Sequence, residues 1–217
     1  MENMRDYDFV AIGDIVTDAF IRLKDGDAHT DMDHDTRELC VEFGAKIPYE
    51  SVTVVPAVGN CANAAVAAAR LGLSSALISN QADDEIGQKQ LEVLKKENVS
   101  RDFVKSHAGM KTNYHYVLWY HDERTILVKH EEYPEEMPAS SAGKPDIGSP
   151  KWLYLTSLGP SSLNFHSEIE EWLKSHPETK LAFQPGTFQI NLGPEKLKYF
   201  YERAELFFCN VEEAEKI

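Results

Sequence analysis

Short apolar segments alternate with polar and amphipathic ones along the chain, and their spacing predicts the elements of the fold. The segment YDFVAIGDIVTDAF begins with an apolar run that breaks at Gly13 and Asp14, which predicts a buried strand followed by a turn. The small-residue segment at 62–71 predicts a helix that stops at Gly72, and the SSALISN run after it predicts another buried strand. This succession is typical of a strand–helix–strand unit with parallel strands.

The same alternation continues to the end of the chain. Ile86, Leu91 and Leu94 recur at helical spacing in DDEIGQKQLEVLKKENV, whereas TNYHYVLWY and RTILVKH flank the tripeptide HDE like the strands of a hairpin. Three further strands are predicted in KWLYLTSLGP, KLAFQPG and AELFFCN, with the helices FHSEIEEWLKSH and PEKLKYFYER between them. Because strands and helices alternate, the predicted fold class is α/β, with a mostly parallel sheet flanked by helices.

Polar segments interrupt these elements at three places. Residues 24–37 are predicted to form an exposed loop. Residues 38–50 are predicted to form a half-exposed strand, because Leu39, Val41 and Phe43 alternate with polar side chains. The Pro-, Ser- and Gly-rich segment YPEEMPASSAGKPDIGSP is predicted to be a surface connection and not a domain boundary.

The composition predicts one soluble domain over residues 1–217. Of the 217 residues 42% are hydrophobic, enough to bury a substantial core. No apolar run is long enough to span a bilayer, and the acidic N-terminus MENMRDYDF lacks the pattern of a secretory signal, which predicts a cytoplasmic protein with no membrane partner. A net charge of −14 without any basic cluster argues against nucleic acid as a partner.

Cysteines, histidines and nucleotide motifs exclude several kinds of site. The three cysteines, Cys40, Cys61 and Cys209, are odd in number and widely separated, so neither a disulfide framework nor a CxxC metal pair is predicted. The eight histidines are scattered and are predicted to be surface or packing residues. Neither G-x-G-x-x-G nor G-x-x-x-x-G-K-[ST] occurs, which removes the main sequence support for dinucleotide-binding and P-loop sites.

Two polar motifs indicate chemistry. In VGNCANAAVAAARLG, Asn60 and Asn63 begin an alanine-rich helix that needs no polar anchor beyond a cap, so the second amide indicates a partner outside the helix. The alternative is a close backbone approach at Gly59 with a cap and simple packing, and the sequence leaves both interpretations open. Asn210 and Glu213 follow the strand ELFF with the spacing of a capping box, which favours a structural role for them.

These motifs resemble those of the PfkB/ribokinase family of sugar and nucleoside kinases. VGNCANAAVAAARLG is similar to the family signature G-G-x-x-x-N-x-A-x-x-x-A-R-L-G, and IGDIVTDAF to the first strand with its substrate-binding Asp. NQADDEIGQKQLEVLKKENV resembles the G-x-D-x-x-G helix segment, and NVEE resembles the N-x-x-E motif near the phosphates. The motifs occur in the family order over nearly the whole chain, which makes chance a poor explanation.

The resemblance implies a reaction and a substrate site. The reaction is the ATP-dependent transfer of a phosphoryl group, with Mg²⁺, to a hydroxyl of a small-molecule sugar or nucleoside. Asp18 would accept hydrogen bonds from the hydroxyls of the acceptor, while Gly59, Asn60 and Asn63 would shape the floor of the substrate-binding site.

The resemblance also implies a lid, a phosphate region and a catalytic base. A small β lid with strands at approximately 38–50 and 113–130 would close over the substrate and exclude water. Asn210 and Glu213 would lie near Mg²⁺ and the phosphates without being direct ligands. The base, an Asp in a D-T-x-G-A-G-D motif, is expected beyond Ile217, so that residues 1–217 are expected to be an incomplete and inactive copy of the fold.

Several positions depart from the family pattern, and alternatives follow. Val58 replaces the first glycine of the signature, and Ala82 replaces a glycine before the paired acids. Gln184 stands at a position that is often Asp or Asn in the family.

The alternative function is a non-catalytic sugar- or nucleoside-binding protein or a scaffold. The identity of the acceptor stays open among ribose, fructose derivatives, keto-deoxy acids and nucleosides. A homodimer through the lid is also predicted, because the lid alone would expose an apolar face made of Leu39, Val41, Phe43, Tyr116, Leu118 and Tyr120.

Overall fold

The computed structural model describes residues 7–33, 36–138 and 147–217, and within them it contains thirteen strands and six helices. In chain order these are β1 (Phe9–Ile12), β2 (Val16–Leu23), β3 (Ala28–Asp33), β4 (Thr36–Val41), β5 (Tyr49–Val58), α1 (Asn60–Arg70), β6 (Ser75–Ala82), α2 (Glu85–Lys96), β7 (Val99–Ser100), β8 (Val104–His107), β9 (Tyr114–Tyr120), β10 (Glu123–Leu127), β11 (Trp152–Leu155), α3 (Leu163–Ser175), β12 (Lys180–Phe183), α4 (Thr187–Leu192), α5 (Lys198–Arg203), β13 (Leu206–Phe207) and α6 (Val211–Ala214).

A parallel sheet forms the centre of the described residues. The strands β13, β12, β11, β1 and β6 lie side by side, and both β7 and β8 pair with β6. Every pairing in this sheet is parallel, with Phe9 of β1 opposite Trp152 of β11 on one side and Ser75 of β6 on the other. The predicted α/β class is therefore confirmed, and the first strand lies inside the sheet, between β11 and β6.

The two faces of this sheet carry separate apolar clusters. Val10 and Ile12 belong to the cluster that includes Ile169 of α3 and Phe200 of α5. Ala11 points to the opposite face, because successive side chains of a strand alternate, and there it packs with Leu77 and with the alanines of α1. Small side chains on α1 let this helix lie close to the sheet, which explains the alanine-rich sequence without any functional role.

A second sheet, the lid sheet, consists of β10, β9, β2 and β5 in that order. β9 and β10 form the predicted hairpin, and β2 runs antiparallel to β5 but parallel to β9. The chain leaves the core sheet at the end of β1 and enters β2 only a few residues later, so the lid sheet begins at the carboxyl end of β1. Within the predicted lid region at 113–130, the strands are β9 and β10.

The predictions for residues 24–50 are wrong in detail. Residues 24–37 were expected to be a loop, yet β3 and β4 form an antiparallel pair with Ala28 opposite Val41; residues 34–35 lie outside the described part of the chain. Residues 38–50 are not one strand, because β4 ends at Val41, Gly44 has φ +79°, and β5 begins at Tyr49. Backbone pairing stabilises this pair of strands, and its mostly exposed polar side chains therefore show no strand pattern in the sequence.

Two other expectations for the second half of the chain also change. The segment at 133–150 is not merely a surface connection, because Tyr133 and Ile147 are buried; its residues 139–146 lie outside the described part of the chain. A short helix, α4, follows β12 and was not predicted.

None of the helices in the described residues is long and apolar enough to cross a membrane.

The outer surface of the lid exposes apolar side chains. Phe43 is fully exposed, and Val41 and Tyr116 are about half exposed. The hydroxyl of Tyr120 donates to the backbone oxygen of Ala28 in β3, so this residue is partly used within the chain. The pairing of two copies through this surface stays a prediction.

Gln189 of α4 ties the carboxyl end of β11 to two helices. It is fully buried; its Nε2 donates to the backbone oxygen of Thr156 at 3.1 Å and lies 3.0 Å from Nε2 of His166, while its Oε1 accepts from the backbone nitrogen of Gly186 at 2.7 Å. The Nδ1 of His166 faces the backbone oxygen of Ser162 at 2.8 Å. A neutral His166 satisfies all of these contacts, and burial lowers its pKa accordingly.

We expect Gln189→Leu to lower the free energy of unfolding by about 3 kcal/mol, because several buried polar groups would lose their partners together. Urea unfolding followed by circular dichroism measures this change. Gln88→Leu on the exposed face of α2 is the matched control and should change stability by less than about 0.5 kcal/mol. Equal effects of the two substitutions would contradict the assignment of Gln189 as a structural tie.

Candidate functional site

The candidate site lies at the carboxyl edge of the parallel sheet. β1, β11 and β12 end there, and they are followed by Asp14, Ser157 and Gln184. Open α/β sheets bind ligands at this edge, because the loops after the strands surround a crevice and the backbone there is free to contact a ligand. The lid sheet leaves the core at the same edge, so it can cover this crevice.

The backbone around Asp14 is held from three sides. Its nitrogen donates to the backbone oxygen of Ser157 at 3.0 Å, and its own oxygen accepts from the thiol of Cys61 at 2.9 Å. Gly59 has φ +99°, and a Cβ at this position would lie 2.8 Å from the same oxygen of Asp14. The close backbone approach predicted as an alternative at Gly59 is therefore observed, and only glycine fits there without strain.

The two asparagines of α1 have different surroundings. Gly59 is the N-cap of the helix, and no side chain caps it. Asn60 donates from Nδ2 to Oγ of Ser157 at 3.3 Å, so its partner lies outside the helix, at the end of β11. Asn63 is exposed and lines a separate groove with Val55 of β5 and other residues of β5, α1 and α2.

Asp18 and His115 form the first carboxylate–imidazole pair of the site. They lie opposite each other on β2 and β9, with Nδ1 of His115 3.4 Å from Oδ1 of Asp18. Both side chains are more than four-fifths buried. Oδ1 of Asp18 and Nε2 of His115 have no hydrogen-bond partner, although both atoms are buried. Buried polar atoms in folded proteins are normally paired, so these two indicate a binding position.

Asn113 adds a third polar group to this face of the lid sheet. It precedes His115 by two residues, and alternation along the strand places both side chains on one face. Its Oδ1 accepts from the backbone nitrogen of Glu131 at 2.8 Å, whereas its buried Nδ2 has no partner. Asn113 is only 1% exposed, so its free amide hydrogens face the protein interior or the site and not bulk water.

Asp14 and His130 form a second carboxylate–imidazole pair. Nδ1 of His130 lies 3.5 Å from Oδ2 of Asp14, and the ring packs so closely on Gly159 that a Cβ there would lie 2.0 Å from Nε2. Burial, together with the charge of Glu135, raises the pKa of Asp14 to about 8. Burial raises the pKa of Glu135 to about 7. Burial and the neighbouring His115 lower the pKa of His130.

The sequence analysis missed most of this cluster. His115 and His130 were expected to be surface or packing residues, but the structure places both beside aspartates of the site. Glu135 lies in the segment expected to be a surface connection. No short motif marks any of the three, because the cluster joins β2, β9 and the segment after β10, which are distant in the sequence. The pairing of His115 with Asp18 would have indicated the cluster, but this pairing appears only when β9 lies beside β2.

Asn210 and Glu213 form the capping box that their spacing predicts. Oδ1 of Asn210 accepts from the backbone nitrogen of Glu213 at 2.7 Å, and Oε2 of Glu213 accepts from the backbone nitrogen of Asn210 at 2.9 Å. Asn210 is exposed and Glu213 is half-buried, and the box leaves one side-chain polar atom of each outside it. Searching residues 7–33, 36–138 and 147–217 gives no cluster of three or more His, Cys, Asp or Glu side chains that would hold a metal. Oε1 of Glu213 lies outside the capping box and is a carboxylate donor of the kind that Mg²⁺ accepts.

The described architecture is that of the ribokinase-like α/β kinases, a parallel sheet with a β lid at its carboxyl edge. The pfkB family of carbohydrate kinases matches residues 25–217, and the chain belongs to that family. A search of curated proteins gave no match.

Solved structures with the same fold include three kinases. A nucleoside kinase of Methanocaldococcus jannaschii is 14% identical with a TM-score of 0.68, over 98% of this chain and 64% of that one. A fructokinase of Halothermothrix orenii is 20% identical with a TM-score of 0.67, over 96% and 70%. A ribokinase of Cryptococcus neoformans in complex with ADP is 22% identical with a TM-score of 0.64, over 94% and 57%. These identities establish the fold alone, and the chain spans between about half and two-thirds of the length of most such structures.

We expect Gly59→Ala to lower the free energy of unfolding by about 2–4 kcal/mol, since it combines a positive φ with a clash against the Asp14 backbone. Gly109→Ala is the matched control: Gly109 has φ +78° but nothing near its missing Cβ, so about 1 kcal/mol is expected. Thermal and urea unfolding measure both. If the two variants lose the same free energy of unfolding, the close contact of Gly59 with the Asp14 backbone does not add to the cost of the substitution.

We expect Asp14→Asn to become stabilising relative to the wild type as pH rises. Between about pH 4 and pH 8 the folded protein binds more protons at Asp14 than the unfolded chain, so wild-type stability falls through this window. Asparagine removes this dependence, and at about pH 9 the variant should be more stable by about 2 kcal/mol. Urea unfolding across the window is the measurement, and a difference that does not change with pH would rule out the raised pKa.

Proposed function

We propose that residues 1–217 contain the acceptor site of a kinase reaction in which a phosphoryl group passes from ATP to a hydroxyl of a small polyhydroxylated acceptor, a sugar or a nucleoside. The observation that carries the proposal is the pair of Asp18 and His115, whose buried atoms Oδ1 and Nε2 lack partners at the edge where the lid sheet leaves the core. Hydroxyl groups both donate and accept hydrogen bonds, so a polyol satisfies such atoms well. Membership of the pfkB family supports the same chemistry.

The neighbouring residues have roles that follow from their contacts. Asp18 would accept a hydrogen bond from an acceptor hydroxyl and thereby orient it. Gly59 leaves room for the backbone of Asp14, and Asn60 with Ser157 would form part of the floor of the site. Asn63 lines the separate groove beside Val55, and it would contact only a part of the acceptor that extends toward β5.

ATP and Mg²⁺ are part of the proposal. When bound, ATP supplies the γ-phosphoryl group and Mg²⁺ neutralises part of its negative charge. Asn210 and Glu213 would lie near the metal and its waters, with the oxygen of Glu213 outside the capping box as the nearest carboxylate. The lid sheet would close over the acceptor and exclude water, which would otherwise compete for the phosphoryl group.

We expect Asp18→Asn to weaken binding of the best acceptor by about 10- to 100-fold, because a charge-assisted hydrogen bond is lost. Isothermal titration calorimetry against sugars and nucleosides identifies that acceptor and measures the change. Asp25→Asn is the matched control: Asp25 is mostly exposed in the lid, near His121, and its substitution should leave the affinity unchanged.

A coupled assay for ADP release with MgATP and the bound acceptor tests the reaction itself. Release that depends on the acceptor and falls in Asp18→Asn supports the kinase. Residues 1–217 contain no D-T-x-G-A-G-D motif, so acceptor binding without ADP release by these residues alone is the expected result. The same result with a protein that contains the motif would support the alternative of a non-catalytic binding protein. If no sugar or nucleoside binds, the acceptor site itself is wrongly assigned.

A further inference from the structure

The two carboxylate–imidazole pairs lie beside each other, and together they define the charge of the candidate acceptor pocket. His115 and His130 are close enough for the charge of one to lower the pKa of the other. His115 lies against Asp18, and His130 lies against Asp14. The site therefore has two carboxylate–imidazole pairs, one joining β2 to β9 and one joining the turn after β1 to the segment after β10, whose histidines interact electrostatically.

Further acidic groups surround this cluster. Glu135 acts on Asp14 through its charge, and Glu131 and Glu132 act on His130. Glu132 and Glu135 also line a cavity of about 370 Å³, which lies between the segment after β10 and the start of α3 and is lined as well by Tyr133, Ser161 and Asn164. The segment after β10 therefore contributes mainly acidic side chains to the surroundings of Asp14 and His130.

Basic side chains do not balance these acids. In the described parts of the chain, the only ion-pair partners of Asp14 and Asp18 are the two histidines. Lys129 is paired with Glu131, and Lys105 with Glu136. Burial lowers the pKa of His130, so near neutral pH this ring contributes little positive charge.

We propose that this pocket selects an uncharged polyhydroxylated acceptor and rejects acceptors that carry a carboxylate or a phosphate, with His115 and Asn113 as additional contact residues. This inference rests on the proposed function and narrows its substrate class. An anionic group near Asp18 and Glu135 would meet like charges in a partly buried site, where repulsion is weakly screened. An uncharged hydroxyl would instead pair with Oδ1 of Asp18, Nε2 of His115 and Nδ2 of Asn113, the three buried atoms of this face that lack partners.

The test compares acceptors that differ only in one charged group. Calorimetry at about pH 8.5, where Asp14 and Glu135 are both largely ionised, uses D-fructose with D-fructose 1-phosphate, D-glucitol with D-gluconate, and adenosine with its 5′-carboxylate. In any pair for which binding is detected, the uncharged compound should bind at least about tenfold more tightly than the anion. Equal or tighter binding of the anion overturns this inference but leaves the proposed function intact. If neither member of any pair binds, the acceptor site and this inference both fail.

Two further measurements identify the groups responsible. The double variant Asp14→Asn and Glu135→Gln removes acidic groups without changing their shape, and it should reduce the preference for the uncharged member at least about threefold. Glu171→Gln, on the exposed face of α3, is the control and should leave the preference unchanged. An undiminished preference in a folded double variant contradicts the assignment of these charges.

The wild-type protein provides the same test without any substitution. Lowering the pH from about 8.5 to about 5.5 protonates Glu135 and Asp14, so the preference for D-glucitol over D-gluconate should shrink. His115→Gln should weaken binding of the uncharged acceptor about tenfold, because Nε2 is removed, whereas His121→Gln in the lid turn should leave the affinity unchanged. A preference that is independent of pH overturns the proposal.

Discussion

The fixed backbone of Asp14 is the constraint on which the rest of the site depends. The chain passes here from the core sheet to the lid sheet, and it is held by the oxygen of Ser157, by the thiol of Cys61 and by contact with Gly59. β2 starts immediately afterwards, so the position of Asp18 is set by the core and not by the lid alone. Ser157 and Asn60 meet at the same point, which brings the end of β11 and the start of α1 into one site.

Much of the core was predictable because its sequence patterns are local. The strands around Val10, Leu77 and Leu153 are short apolar runs, and helix α2 shows its own periodicity and N-cap. Gly59 and Asn60 were found from a contiguous motif, and Asp18 from the resemblance of the first strand. Each of these patterns spans only a few consecutive residues, so it can be recognised in one sequence without knowledge of the fold.

The remainder was not predictable because it depends on pairing between distant segments. The β3–β4 pair has mostly polar, exposed residues, so nothing in its hydrophobic pattern separates it from a loop. His115 and His130 acquire their surroundings only when β9 lies beside β2 and the chain after β10 returns to the core. Glu135 is acidic and lies in a Pro-rich segment, which by composition favours the surface, and its raised pKa reflects tertiary burial.

The parallel pairing of β2 with β9 has a consequence for the order of folding. Thr17 and Tyr114 are neighbours in the lid sheet but are separated by almost a hundred residues of chain, most of which belongs to the core or to other lid strands. Closing such a long loop costs entropy, and that cost is reduced once β1, β6 and β8 have brought the two ends together. We therefore expect the core to form before the lid sheet, so that pairing of β2 with β9 is a late step of folding.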